Sequence, residues 1–280
     1  MPDRIGLVIY PGREDAARRA AEAAQWLQER GYAVFDPARE EKPEGPCRMI
    51  LTFGGDGTLL SGAVHAIRYR CPLLGINLGT VGFLTEGDPE RLTDILGRLI
   101  RREFRIEERE LLKVGVRGNP HTWFVLNDAV VTRGGFARLI QVDTFIGKEP
   151  WGTFTADGVI AATPTGSTGY SLSAGGPVVA PEMHCIIVTP VCPHSLLHCP
   201  CIVPPDSEIR FRLRPERQQR AELQIDGQNK CTLQAGDEVL VTGAKETLKL
   251  IRLGPSRFFQ LTQQKLSEWS QCTGREEDRP

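Results

Sequence analysis

The residues from Ile50 to Leu60, ILTFGGDGTLL, set one carboxylate among glycines at the end of an apolar run. Glycines there let a ligand approach the backbone, and the amides at the start of a following helix face outward as an anion site. A carboxylate beside a phosphate cradle is repulsive unless a cation, or a proton to be removed, lies between them. Asp56 therefore predicts phosphoryl transfer to a hydroxyl, with Gly54, Gly55, Gly57 and Thr58 as the phosphate-donor loop. The structural alternative is a helix cap, since Asp and Thr are both favoured at N-caps.

Two further stretches carry candidate chemistry. From Ala156 to Pro177 the chain reads ADGVIAATPTGSTGYSLSAGGP, hydroxyls and glycines behind one acid, Asp157. Small polar side chains and free amides suit the edges of a base and ribose hydroxyls, and Tyr170 can pack on a sugar or ring. A Ser/Thr/Gly-rich surface loop is the plainer reading, but the apolar lead-in argues for a turn between buried elements. In the second stretch, Asn127 and Asp128 interrupt the apolar run Val125–Val131. Buried amide and carboxylate groups are costly without partners, so they bond neighbouring backbone or receive a ligand's hydroxyls.

A third cluster, His184-Cys185, Cys192-Pro193-His194 and His198-Cys199-Pro200-Cys201, raises zinc. Its spacing departs from the usual Cys-x2–4-Cys pairs, so incidental packing is the preferred reading and a zinc-dependent binding module the alternative. With no secretory signal at Met-Pro-Asp-Arg-Ile-Gly, the eight cysteines read as reduced thiols.

The elements that must position these residues follow from pattern. Arg4–Tyr10, Tyr32–Phe35, Met49–Phe53 and Leu73–Ile76 read as strands. Glu14–Arg30, Thr58–Arg70 and Asp88–Arg102 read as helices, the last with Leu92, Ile95, Leu96, Leu99 and Ile100 at helical spacing. Alternating strands and helices imply a parallel sheet covered on both faces. After Phe104 short Val/Ile/Thr/Phe runs recur without helices, a mostly-β domain: Leu111–Val116, Thr122–Leu126, Ala129–Thr132, Leu139–Ile146, Ile186–Thr189, Glu208–Leu213, Leu223–Ile225, Glu238–Thr242 and Leu248–Leu253. Phe258–Trp269 reads as a closing amphipathic helix before a polar tail, Gly274–Pro280. The expected organisation is an α/β domain over 1–104, a β-rich domain over 105–256, and a helix and tail over 257–280 packing back on the first. The 34 Lys and Arg balance 35 Asp and Glu, which speaks against a nucleic-acid or anionic-membrane partner. No apolar run approaches the roughly 20 residues of a membrane span, so a cytoplasmic protein is expected.

Taken together, GGDGT at Gly54–Thr58, GINLGTVGFLTE at Gly75–Glu86, Asn127-Asp128, Ala156–Val179, TPVCPHSL at Thr189–Leu196 and DGQ at Asp226–Gln228 resemble the NAD kinase family. The match runs in order along nearly the whole chain. The resemblance implies an NAD kinase-like two-domain architecture and phosphorylation of the 2′-hydroxyl of NAD's adenosine ribose, with ATP or polyphosphate as donor. It implies Asp56 as general base and Gly57 as the neighbouring backbone contact. Asn127 and Asp128 would bind the adenosine end and Asp157 would lie near the nicotinamide half. Thr165, Thr168, Gly169, Tyr170, Ser171, Leu172 and Ser173 would form the adenine and ribose shell. Phe83 would pack at the base, Cys192 would lie near the adenine, Gln228 would sit in the DGQ element, and Arg138 would face a neighbouring subunit's ligand. A homodimer or homotetramer is the family habit. There is no Walker GxxxxGK[ST] and no lysine in the turn, so Mg2+ on the donor phosphates is the expected neutralising charge.

Three positions depart from the family pattern. The usual Asn-Glu is Asn127-Asp128, one methylene shorter. The usual STAY is Ser167-Thr168-Gly169-Tyr170. Where many members carry Arg, two residues before Asp157, this chain has Thr155, which leaves NADH open as an acceptor beside NAD. A lipid kinase sharing the GGDGT turn, and a nucleotide-binding regulator without catalysis, are the competing readings. The polar 157–177 loop argues against the first and the intact Asp56 against the second.

Overall fold

The computed structural model describes residues 3–40, 45–80, 82–135, 138–194, 199–215 and 219–274. Val81, Ser195, Leu196 and His198 of the motifs above, and the tail beyond Gly274, lie outside the described residues. The chain divides into two compact units, Met1–Glu108 with Leu248–Pro280, and Arg109–Thr247.

Unit one is an α/β layer structure. Its elements are β1 (Arg4–Ile9), α1 (Glu14–Gln28), β2 (Ala33–Phe35), β3 (Cys47–Gly54), α2 (Asp56–Tyr69), β4 (Leu73–Asn77), a 3-10 turn at Pro89–Arg91 and α3 (Leu92–Arg101). Strand β5 (Arg105–Val116) carries the chain into unit two. The strand order β2-β1-β3-β4 is parallel throughout, with Ile5 opposite Met49 and Ile50 opposite Leu73. Alternation along the strands sends Ile5, Leu7, Leu51, Phe53, Leu74 and Ile76 to one face, where Ala16, Ala20, Ala23 and Leu27 of α1 and Leu92, Ile95, Leu96 and Leu99 of α3 cover them. Helix α2 covers the other face, with Gly62 against Thr52 and Leu73.

The Gly-rich turn resolves in detail. Helix α2 begins at Asp56, two residues before the expected start, with Gly55 as its N-cap and no side-chain cap bond. The cap reading of Asp56 therefore fails, and its carboxylate is committed elsewhere.

Unit two is β-rich. It holds β6 (Thr122–Val125), β7 (Asp128–Thr132), β8 (Ile140–Ile146), β9 (Glu149–Ala156), β10 (Gly158–Ala162), the short helical pieces Thr165–Thr168 and α4 (Tyr170–Ser173), β11 (Ile186–Val191), β12 (Cys201–Val203), β13 (Ile209–Leu213), β14 (Arg220–Ile225) and β15 (Gln228–Gln234). Strand β16 (Glu238–Arg252) returns the chain to unit one, where α5 (Phe258–Gly274) closes it. One antiparallel sheet runs β12-β11-β10-β7-β14-β15, and a second array pairs β13 with β8, β8 with β9 and the start of β16 with β13. Val131, Val159, Val188 and Leu223 from the first sheet pack with Val142, Phe154, Ile209 and Phe211 from the second. Strands β9, β10, β12 and β15 have no counterpart in the sequence reading, and β16 is one strand where two runs were expected.

Gly62 tests the packing of α2. A Cβ built there would stand 2.3 Å from Thr52 Cγ2, a β-branched, fully buried side chain that cannot swing away. Alanine gains about 1 kcal/mol of helix propensity, while overpacking costs roughly 1–3 kcal/mol. Gly62→Ala is therefore expected to lower the thermal midpoint, and a raised midpoint would show that α2 does not sit this close to β3.

Candidate active site

In unit one the chemistry centres on the Asp56 carboxylate. The loop after β4 folds over the start of α2, and its amides converge on that side chain. Asp56 Oδ1 accepts from Leu84 N at 3.2 Å, Thr85 N at 3.1 Å and Thr85 Oγ1 at 3.2 Å. Among the described residues, Oδ2 accepts only from Phe83 N, at 2.8 Å. A carboxylate oxygen offers about two lone-pair sites, so Oδ1 is saturated and Oδ2 keeps room for one more donor. Gly82 permits the approach, because a Cβ there would lie 2.0 Å from Asp56 Oδ1.

The first-turn amides of Asp56 and Gly57 precede the first intrahelical bond, so the positive end of the α2 dipole opens beside the carboxylate. Gly57 is exposed and a Cβ on it would meet nothing. Gly54 and Thr58 are buried, and a Cβ on Gly54 would run into the Thr58 side chain. Of the expected donor loop, Gly55 and Gly57 thus offer surface, while Gly54 and Thr58 pack the turn. The Phe83 ring lies against Phe258, centroids 6.1 Å apart.

In unit two a second carboxylate does comparable work. Asp226 sits in the tight β14–β15 hairpin, where it and Gly227 have φ of +48° and +76°. Its Oδ2 accepts from Leu126 N at 3.0 Å, and its Oδ1 from Asn127 N at 2.7 Å and Asp128 N at 3.2 Å. This fixes the Asn127-Asp128 turn. The 165–173 segment is fastened to the same turn: Thr163 N donates to Asn127 O at 2.9 Å, and Thr163 Oγ1 to Leu126 O at 2.6 Å. Gly166 is pressed so close that a Cβ would stand 2.0 Å from Asn127 O. Buried Arg109 donates to Thr165 Oγ1 at 3.3 Å.

Two polar groups there are strained electrostatically. Among the described residues, Asn127 Oδ1 is buried without a hydrogen-bond partner, which is costly for a polar atom. The Asp128 carboxyl is pushed up to about 7 by burial and then by the neighbouring Asp226 charge, against the opposing Tyr170 amide. Tyr170 is 43% exposed, and its hydroxyl is held above its ordinary range by desolvation, then by Cys192, Asp157 and Asp128. These four side chains therefore share one neighbourhood. Cys192 is exposed at a positive φ of 46°.

Other expected residues fall into place differently. Ser171 is fully buried, its hydroxyl paired with Thr189 Oγ1 at 2.9 Å, so it is spent on the scaffold. Thr155 Oγ1 accepts from Gln141 Nε2 at 2.9 Å. Thr168, Gly169 and Leu172 are half-buried, while Ser173, Arg138 and Gln228 are exposed. Sequence reasoning missed Arg133, which forms an ion pair with Asp157. It also missed Asp226, although the Asp-Gly hairpin signal was in view. Among the described residues, no group of three or more His, Cys, Asp or Glu is placed to hold a metal ion.

Family models match both halves of the chain. The ATP-NAD kinase N-terminal domain matches residues 36–104 and the ATP-NAD kinase C-terminal domain residues 126–253. The NAD kinase of Heliobacterium modesticaldum is 37% identical over 94% of this chain and 98% of its own. That of Moorella thermoacetica is 38% identical over 95% and 89%. Among solved structures, yeast NADH kinase complexed with NADH superposes with a TM-score of 0.80 at 26% identity, covering 92% of this chain and 85% of that one. An NAD kinase from Archaeoglobus fulgidus in complex with ATP gives 0.68 at 25% identity, covering 93% and 96%.

The Asp128 environment predicts a pH dependence of stability. Its folded value, about 7, stands above its ordinary 3.8, so between those two the folded chain keeps a proton that the unfolded chain has released. Stability therefore falls as pH rises through that window, by roughly 4 kcal/mol if the whole shift is realised. Asp128→Asn removes the penalty. Denaturant unfolding should show the variant gaining on its parent from pH 4 to pH 8, and a pH-independent difference would contradict this environment.

Proposed function

Because this chain belongs to the NAD kinase family, we propose that Asp56 is the base that takes the proton from the 2′-hydroxyl of NAD's adenosine ribose. The enzyme phosphorylates NAD, with ATP as co-substrate. The observation that carries the assignment is the asymmetry of the Asp56 carboxylate: among the described residues one oxygen accepts three hydrogen bonds and the other accepts one, which leaves the second with lone-pair capacity for a hydroxyl. A ribose hydroxyl is a poor nucleophile near neutral pH, and a fixed carboxylate within hydrogen-bond reach lowers that barrier. The remaining catalysis is positioning and charge neutralisation. The outward amides of Asp56 and Gly57 serve the second of these.

On unit two, Asn127, Asp128, Asp157, Thr165, Thr168, Gly169, Tyr170 and Cys192 are proposed to hold the nucleotide, with Asn127 Oδ1 receiving a donor it otherwise lacks. Leu172, Ser173 and Gln228 complete the proposed set, and Arg138 would meet a second subunit in a homodimer or homotetramer. Mg2+ held by the donor phosphates belongs to the same proposal, and when bound it would neutralise their charge. A cytoplasmic setting is part of the same proposal; among the described residues, no helix is long and apolar enough to cross a membrane.

The Arg133–Asp157 ion pair bears on which acceptor is used. If Asp157 faces the nicotinamide, its charge is already matched by Arg133, and the cationic oxidised ring gains little from it over the neutral reduced ring.

Two measurements follow. Asp56→Asn keeps one acceptor oxygen for the loop but removes the base, so kcat should fall by about 10² or more while the NAD dissociation constant changes little; near-normal turnover would remove Asp56 from this role. Product formation with NAD or NADH, and with ATP or polyphosphate, should give NADH turnover within about tenfold of NAD, since an already paired carboxylate discriminates weakly. Arg133→Ala should widen the preference toward NAD, and an unchanged ratio would discount the ion pair.

A further inference from the structure

Behind the loop that holds Asp56 lies a buried cation that the reaction as described does not use. Arg252, at the end of β16, is 8% exposed. Its Nη1 donates to Leu84 O at 3.0 Å and stands 3.6 Å from Glu86 Oε2, while its Nε donates to Glu107 Oε2 at 3.1 Å. Glu86 Oε1 in turn accepts from Leu253 N at 3.1 Å and Gly254 N at 2.7 Å. Leu84 is the hinge of this arrangement: its N–H points to Asp56 Oδ1 and its carbonyl to Arg252.

We infer that Arg252 is a positioning residue for phosphoryl transfer, holding the 83–86 loop in the one conformation whose amides aim the Asp56 carboxylate. The inference rests on the proposed role of Asp56. Three features separate this from ordinary packing. The guanidinium is shared between a loop carbonyl and two carboxylates, so it sets the spacing of the loop, β5 and the β16 end together. Among the described residues, Glu86 is hydrogen-bonded through one oxygen only, its other carboxylate oxygen being buried and without a hydrogen bond, and Arg252 is the cation paired with it. Both ends of the relay meet at a single residue, so a shift of the Leu84 peptide moves the Asp56 donors directly. Displacement of a catalytic group by about 1 Å can cost on the order of 10²-fold in rate.

The test compares Arg252→Met, Arg252→Lys, Asp56→Asn and the double variant Arg252→Met/Asp56→Asn in steady-state NAD phosphorylation with ATP. Arg252→Met is expected to lose about 10- to 100-fold in kcat with KM for NAD and ATP within about threefold. Lys keeps the charge but bonds fewer partners, so Arg252→Lys should recover part of that loss. In the Asp56→Asn background, Arg252→Met should cost nothing further, since a residue acting through Asp56 has nothing left to aim. A folded Arg252→Met with lowered thermal midpoint but parental kcat, or additive losses in the double variant, would overturn the inference. If Arg252→Met does not fold, parental kcat in Arg252→Lys, whose ammonium cannot reproduce the guanidinium's fork, would do the same. Failure of the Asp56 assignment is distinguishable, because it alone shows as near-normal turnover in Asp56→Asn.

Discussion

The bonds from Phe83, Leu84 and Thr85 to one carboxylate tie the loop after β4 to the first turn of α2, and unit one's chemistry depends on that tie. Charge-assisted hydrogen bonds to a carboxylate contribute more than neutral ones, and an amide buried without a partner costs about 1–3 kcal/mol. Asp56 answers both demands, and only glycine at position 82 lets the loop come close enough. The same side chain therefore shapes the loop and keeps one oxygen for a ligand. Such double duty explains why a turn that could be a plain helix cap instead leaves the N-cap position to Gly55, starts its helix at Asp56 and sends the carboxylate sideways.

Unit two repeats the device with different residues. Asp226 gathers three successive amides, Leu126 to Asp128, and in doing so holds the Asn127-Asp128 turn against the 163–170 segment. Its charge also raises the affinity of Asp128 for a proton. Here the carboxylate that positions and the groups that would contact a ligand are separate residues. The division leaves Asn127 Oδ1 buried and, among the described residues, without a hydrogen bond, and gives the Asp128 carboxyl a raised affinity for its proton.

Much of unit one was legible because its period is regular. Leu92, Ile95, Leu96 and Leu99 are buried on one face of α3, and the apolar runs of β1, β3 and β4 are the strands their composition suggests. Unit two was legible in class but not in detail. Strand β10, GVIAA, is buried at every residue, so it shows no alternation and merged with the loop that follows. The exposed stretch Lys245–Thr247 hid the continuity of β16, and β15 is too polar to announce a strand. The motif residues were found by their company along the chain, whereas their supports were not. Asp226 reaches amides some hundred residues earlier, and Arg252 meets Leu84 across 168 positions, distances at which no local pattern can report a partner.

Asp56 Oδ2, with one hydrogen bond from the loop, is proposed to meet the hydroxyl to be phosphorylated. The most direct measurement is a crystal structure of this chain with NAD and a non-hydrolysable ATP analogue. The 2′-oxygen of the adenosine ribose is expected at hydrogen-bond distance from Oδ2, about 2.6–3.2 Å, with the Phe83–Thr85 donors still on the carboxylate. A 2′-hydroxyl bonded to another group, with Oδ2 out of reach, would contradict it.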